Sequence, residues 1–291
     1  LFVLAVESHL KRIVYPKAEK KYHCAILVPE ESPLPVIYRE KFYEFFTYND
    51  LHQGINTLDR EHYQLVLILS DTAISLSPLF LEKIYNAYDA GIQAIQLHTV
   101  IENRKGFCNR FRAICKEIKN SLFRAGNTQF GLSSNLSGTN IAIDLEWLQN
   151  NLRSSKTNIE RKLFRKNVYI DYLPDAIVYC QSSPVHPYRR RLRKTASYFF
   201  PSLLEGNWNF CNRIVQHLIP SPLKMCIFVS VWTLLITGYN WTLSIGWWLI
   251  LFGLLVTYSL AIPDYLVEDK KKKHSIWRKR HLSNELKKNP V

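Results

Sequence analysis

From Met225 to Ile262 the chain carries no charged residue, and no other feature restricts its possible folds as much. Met225 to Tyr239 is apolar except for Ser230, Thr233 and Thr237, and Trp241 to Ile262 follows almost at once. Each run can cross a hydrocarbon layer of about 30 Å, the first with help from Leu223 and from Lys224 snorkelling to the interface. Gly238, Tyr239 and Asn240 read as the turn between them, and Trp232, Tyr239, Trp241, Trp247 and Trp248 supply interfacial aromatics. A buried helical hairpin in a water-soluble core is the competing reading. Two adjacent charge-free, tryptophan-flanked runs weigh against it, so residues 223–262 are expected to form two transmembrane helices.

The formal net charge is +14, and its distribution follows the hairpin. Arg189, Arg190, Arg191, Arg193 and Lys194 precede it; Lys270 to Lys273 with Arg278, Lys279 and Arg280 follow it. Lys11, Arg12, Lys17, Lys20 and Lys21 follow a short apolar start, Leu1 to Val6, which reads as the end of an N-terminal membrane helix. By the positive-inside rule the bulk of the chain and its C-terminal tail lie on the cytoplasmic side of a bacterial-type inner or plasma membrane, next to anionic lipids. Cations arranged this way do not form a nucleic-acid footprint, and no recognition module accompanies them. The six cysteines show no CxxC spacing, so neither a zinc site nor a disulfide frame is expected.

Ahead of the hairpin, strand and helix patterns alternate. Tyr63 to Asp71, YQLVLILSD, reads as a strand buried on both faces that ends on a lone acid. In open α/β sheets the ligand crevice lies beyond the carboxyl ends of the strands, which puts Asp71 where a substrate or metal would sit. His23 to Pro29 and Gln93 to His98 read as further strands. Val168 to Tyr172 and Ala176 to Tyr179 read as two strands around a Leu173-Pro174-Asp175 turn. Helices are expected over Leu51 to Leu58, Leu79 to Ala90, Arg110 to Phe123 and Leu145 to Leu152. Asp175 is expected to bond its own backbone in the turn. The alternation implies one doubly wound α/β sheet. The expected organisation is a juxtamembrane segment over 1–20, the α/β domain over 21–200, a connector over 201–222, the hairpin over 223–262 and a basic tail over 263–291.

Six segments together resemble family 2 glycosyltransferases. HCAILVPEE resembles their opening strand, and YQLVLILSDTAISLSPLFLEKI their strand, acidic motif and following helix. GIQAIQLHTVIEN, GLSSNLSGTNIAI and NVYIDYLPDAIVYCQ are similar to three later segments. YRRRLRK stands where these enzymes carry QRxRW, just before the membrane helices. The resemblance implies a GT-A fold followed by the transmembrane hairpin. It also implies transfer of a sugar, with inversion, from a nucleotide-diphosphate donor to a glycan or lipid-linked acceptor at the cytoplasmic face. Mg²⁺ or Mn²⁺ bridging the diphosphate would be the cofactor.

On this resemblance Pro29, Glu30, Asp71, Arg190, Arg191 and Arg193 bind the nucleotide sugar and its diphosphate, with Asp71 the metal ligand. Ser137, Gly138 and Thr139 lie on the acceptor side, and Glu160 is the candidate base. The departures are specific. Of the two acids expected one residue apart only Asp71 is present, and Thr157-Asn158-Ile159-Glu160 replaces the Thr-Glu-Asp motif of the base. Gln and Trp of the QRxRW box are lost, and a second strand with its nucleobase-binding Asp is not recognisable between Pro29 and Leu51. Two readings therefore stand: a membrane-bound glycosyltransferase, or a catalytically inactive relative that serves as scaffold or partner of another synthase.

Overall fold

The computed structural model describes residues 1–8, 14–37, 41–104, 106–152, 159–181 and 197–262. Seven strands form one sheet: β1 (Cys24–Pro29), β2 (Tyr43–Tyr48), β3 (Leu65–Ile68), β4 (Ala73–Leu76), β5 (Ala94–Ile101), β6 (Ile141–Asp144) and β7 (Ile170–Cys180), in the order β2-β1-β3-β6-β5-β7-β4. The sheet is mixed, where the alternating pattern had suggested a parallel one. β1 runs parallel to β2 and β3, and β5 parallel to β7, but β6 enters antiparallel to both β3 and β5, and β4 antiparallel to β7. An apolar strand covered on both faces, such as β6 (IAID), carries no directional signal. The path of the chain into it decides.

Two further expectations are corrected. The second strand exists: β2 lies at the sheet edge against β1. Its sequence, YEFFTY, has aromatic residues at four of six positions and is only half-buried, so it lacks the alternation that marks a strand. The two strands around Leu173-Pro174-Asp175 are one. β7 pairs Leu173 with Leu97 and then Ile177 with His98, so Pro174, Asp175 and Ala176 bulge out of register. Proline has no N–H for the ladder, which is why the bulge sits there. Lys83 Nζ donates to the Asp175 carbonyl at 2.8 Å, and Ile177 N donates to Ser77 Oγ at 3.0 Å.

The early helices are α1 (Phe2–Glu7), α2 (Leu51–Asn56), α3 (Phe80–Asp89) and α4 (Phe107–Asn120). A π-helical turn, Ser121–Ala125, leads from α4 into α5 (Gly126–Gln129). After these come α6 (Leu145–Asn151), α7 (Ile159–Arg165), α8 (Phe199–Leu204), α9 (Trp208–Leu218), α10 (Pro222–Tyr239) and α11 (Trp241–Leu260). Side-chain caps fix several starts: Asp50 accepts from His52 N and Gln53 N at α2, and Asp144 from Trp147 N at α6.

One face of the sheet packs Ile55, Leu145, Leu148, Phe164, Phe210 and Ile214 from α2, α6, α7 and α9. The other buries Phe80, Leu81 and Ile84 of α3. Cys24, Cys180 and Cys211 are free and buried, so they pack as small apolar groups.

A third cluster lies apart from the sheet. It joins Ala5 of α1, Ile118, Leu122 and Phe123 of α4 and the π turn, and Val229, Leu251, Leu254 and Tyr258 of α10 and α11. Asn240 alone separates α10 from α11: it ends the first helix and caps the second by accepting from Thr242 N and Leu243 N, while Gly238 and Tyr239 remain helical. Asparagine tolerates the extended backbone there and supplies the cap, so no glycine turn is needed. Among the described residues α11 is the one helix long and apolar enough to cross a membrane; Lys224–Tyr239 is a shorter apolar helix.

Candidate functional site

β1 and β3 stop side by side, and the next residues build an edge. Leu69 N still donates to Leu27 O at 3.0 Å, so the chain beyond β3 stays ordered as it leaves the sheet. Ser70 is buried and Asp71 emerges into solvent. Beside them, Glu30 N donates to Tyr48 O at 3.1 Å, which ties the end of β1 to the end of β2. Burial raises the Tyr48 phenol pKa, and the charge of Asp71 raises it further. Glu30 and Asp71 are thus exposed, and Pro29 and Tyr48 half-buried, along one edge of the sheet.

Behind this edge is a hydrogen-bonded knot centred on Asn140, which sits in the left-handed region at φ 56°. Its Oδ1 accepts from Ser70 N at 2.9 Å, and its Nδ2 donates to Thr99 Oγ1 at 3.0 Å and to Cys180 Sγ at 3.6 Å. Ser70 Oγ meets Cys180 Sγ at 3.4 Å. The loop preceding Asn140 is held by Gln96, which is fully buried: its Oε1 accepts from Ser137 N at 2.6 Å and from Ser137 Oγ at 3.1 Å, and its Nε2 donates to Asn140 O at 3.0 Å. Gly138, at φ +84°, makes the turn that a side chain would strain. Ser137, Gly138 and Thr139 therefore lead directly into Asn140, which bonds the residue preceding Asp71.

Glu160 is placed elsewhere. Its Oε1 accepts from Leu136 N at 3.1 Å and pairs with Arg213 of α9 at 2.7 Å, with both side chains largely buried. It braces the back of the Ser137–Thr139 loop and is engaged by a cation. Arg190, Arg191 and Arg193 lie outside the described residues, as does the tail from 263 onward.

Among the described residues no three of His, Cys, Asp and Glu gather into a metal cluster. Asp71 presents one exposed carboxylate, and its neighbours Leu69 and Ser70 are buried. That donor set fits a Mg²⁺-like ion only if the ion keeps most of its waters and draws its remaining oxygens from a bound diphosphate.

Sequence reasoning missed Asn140, Gln96 and Tyr48, and a buried polar group behind them. There His98 Nδ1 bonds the Tyr172 hydroxyl, His98 Nε2 stands 3.7 Å from Glu117, and Arg124 donates to Asn120 Oδ1 at 2.7 Å. The available signal was the helical spacing of Glu117, Asn120 and Arg124 on one face of a helix otherwise read only as amphipathic.

A cavity of about 200 Å³ also lies between α3, α5 and the β7 bulge, walled by Tyr15, Lys83, Asn86, Asp171 and Pro174. Asp171 accepts from the Tyr15 hydroxyl at 2.7 Å, and its pKa is raised by burial against the opposing effect of that bond. Neither Asp71 nor Ser137–Thr139 lines it.

A model of glycosyl transferase family group 2 matches residues 65–260, about two thirds of the chain. The protein belongs to this family. No curated protein sequence matches the chain. Among solved structures it is similar to a mannosyltransferase, PcManGT from Pyrobaculum calidifontis, determined in complex with GDP-Man and Mn²⁺. That match has 12% identity and a TM-score of 0.47, covering 89% of this chain and 92% of the other. For family group 2 the mixed α/β sheet followed by an apolar C-terminal helix is the expected GT-A arrangement, and the chain has both.

Proposed function

We propose that this family member transfers a sugar from a nucleotide-diphosphate donor to an acceptor at the cytoplasmic face of a membrane. The placement of Asp71 carries the reading: an uncovered carboxylate just beyond β3, with Pro29, Glu30 and Tyr48 on one side and Ser137–Thr139 on the other. The donor diphosphate lies along Pro29, Glu30 and Asp71, and the family resemblance implies Arg190, Arg191 and Arg193 as its further binding groups. Mg²⁺ or Mn²⁺ held by Asp71 would neutralise the leaving diphosphate. The acceptor hydroxyl approaches over Ser137, Gly138 and Thr139, opposite the departing group, which inverts the anomeric centre.

α10 and α11 lie in the bilayer in this reading. Phe228, Leu234, Leu235, Leu249 and Phe252 are each more than half exposed, an apolar surface that water does not tolerate at this density. A reporter fused after Lys273 then reads as cytoplasmic and one at Asn240 as external; a cytoplasmic signal at Asn240 overturns the two-span topology.

A second reading, a non-catalytic partner of another synthase, is favoured by two observations: Asp71 is the lone acid of its motif, and Glu160 is engaged by Arg213. Titrating a nucleoside diphosphate into the detergent-solubilised chain, with and without Mn²⁺, separates the two. Weak Mn²⁺-dependent binding that is lost in Asp71→Asn, at unchanged melting temperature, supports transfer. No binding by the wild type at millimolar concentration supports the scaffold, and binding that persists in Asp71→Asn moves the metal site elsewhere.

A further inference from the structure

A side-chain amide takes over where the ladder between β3 and β6 gives out. The two strands pair as far as Ile68 with Ile141, and Asn140, the next residue on the β6 side, turns its backbone away. At φ 56° its carbonyl accepts from Leu97 N and from Gln96 Nε2, both at 3.0 Å, so it serves β5 and not β3. On the β3 side the side chain replaces it: Asn140 Oδ1 accepts from Ser70 N at 2.9 Å. Only the oxygen of the amide can accept from an N–H, which fixes its orientation and sends Nδ2 to Thr99 Oγ1 at 3.0 Å and to Cys180 Sγ at 3.6 Å. Asn140, Ser70, Thr99 and Cys180 are all buried, so leaving any of these polar groups unpaired is costly.

The amide held in this way leads straight into Asp71. Ser70 to Ala73 make the turn between β3 and β4: Ala73 N donates to Ser70 O at 3.2 Å, and Gln181 N to Thr72 O at 2.8 Å. Those two bonds hold the turn by its carbonyls, and Asn140 holds it by the N–H that enters it. Asp71, exposed between them, takes its direction from this backbone. A glycine at 140 would satisfy the left-handed backbone, as Gly138 does two residues earlier, but would leave Ser70 N–H without its partner. The chain instead carries asparagine, which tolerates that region and brings an acceptor to it.

We propose that Asn140 is a positioning residue: it aims the Asp71 carboxylate by holding the N–H that enters the Ser70–Ala73 turn, and it acts on donor and metal only through Asp71. The inference rests on the transfer reading, in which Asp71 holds Mg²⁺ or Mn²⁺ against the donor diphosphate. With one protein carboxylate on the ion, an error in its direction is not made good by a second acid. Groups that orient a metal ligand from behind typically govern about 10–100-fold in metal affinity.

The test titrates a nucleoside diphosphate into the full chain in detergent, with and without Mn²⁺, for the wild type, Asn140→Gly, Asp71→Asn and the double variant. Asn140→Gly leaves the backbone free to keep φ 56° and lowers the melting temperature, because Ser70 N–H loses its partner. It should weaken Mn²⁺-dependent binding about tenfold, leave metal-free binding unchanged, and have no effect on the Asp71→Asn background. A packing role alone lowers the melting temperature without this selective, non-additive loss. Thr99→Val frees the amide from its far side at nearly constant volume; it should give a smaller loss of the same kind, and it stands in if Asn140→Gly does not fold. Unchanged Mn²⁺-dependent binding in the folded variant overturns the positioning role and leaves the transfer reading standing. So does a loss shared by the metal-free arm or repeated on the Asp71→Asn background. No Mn²⁺-dependent binding by the wild type sinks the transfer reading, and the positioning role with it.

Discussion

Replacing Glu160 by glutamine decides whether this carboxylate holds the acceptor loop or performs chemistry. In the structure its Oε1 takes both the Arg213 guanidinium at 2.7 Å and the Leu136 amide at 3.1 Å, with side chains 14% and 13% exposed on the two sides of the ion pair. Stripping one partner from a fully buried pair costs about 3–5 kcal/mol, because the other charge is left without compensation. Two features reduce that here. Both side chains keep some contact with water, and the glutamine oxygen still accepts from Leu136, so about 2–3 kcal/mol is the expected loss. In a domain of this size that corresponds to a fall in melting temperature of roughly 5–10 °C.

The assay is thermal unfolding of the solubilised chain, followed by circular dichroism, for Glu160→Gln, Arg213→Met and the double variant. Because the residues are in direct contact, the double variant should be much less destabilised than the sum of the singles. Glu160→Gln with a wild-type melting curve, together with additive singles, refutes the pairing. If such a variant also lost transfer activity, Glu160 would be the base after all.

Other regions give independent checks. A Cβ on Gly126 would stand 2.6 Å from the Leu4 carbonyl oxygen, a backbone atom that cannot swing away, so Gly126→Ala should expel α1 from its seat and expose the N-terminal segment to limited proteolysis. An unchanged digestion pattern would show that α1 does not dock there. Folding lowers the Lys116 pKa from 10.5 to about 8, so between those values the unfolded chain binds more protons at this site and stability rises with pH. Lys116→Met should lack that rise and be the more stable protein at pH 7 in phosphate-free buffer. Parallel stability–pH curves for the two proteins would count against a buried ammonium.

What could be read from the chain and what could not divide along physical lines. β1, β3 and α3 were legible because each is a run of one period between polar ends: CAILV and LVLI buried throughout, and Phe80, Leu81, Ile84 and Ala87 at helical spacing. β2 was not, because an aromatic edge strand has no clean alternation; nor was the direction of β6, which the path into the sheet dictates. The β7 bulge was half-legible, since Pro174 announces an interruption but does not say that pairing resumes on the same neighbour. Asp71 was singled out by its place at a strand end and Ser137–Thr139 by the family resemblance. The ion pair of Glu160 with Arg213 was not, because its partners are far apart in sequence and meet only once α7 and α9 pack on the same face of the sheet.

The same geometry bears on how a member of this family could work with one acid where the resemblance expects two. A departing diphosphate needs positive charge, and its source matters less than its position. A metal ion on Asp71 would have a single protein carboxylate and would draw further oxygens from the diphosphate, so its binding is expected to depend on the donor. Lys116 of α4 lies within electrostatic reach of Cys180, whose Sγ meets Ser70 Oγ at 3.4 Å. Metal affinity measured without nucleotide should therefore be poor even in a competent transferase, and it improves only when the diphosphate is present. Tight Mn²⁺ binding by the free protein would contradict this division of charge, because a single exposed carboxylate cannot provide it.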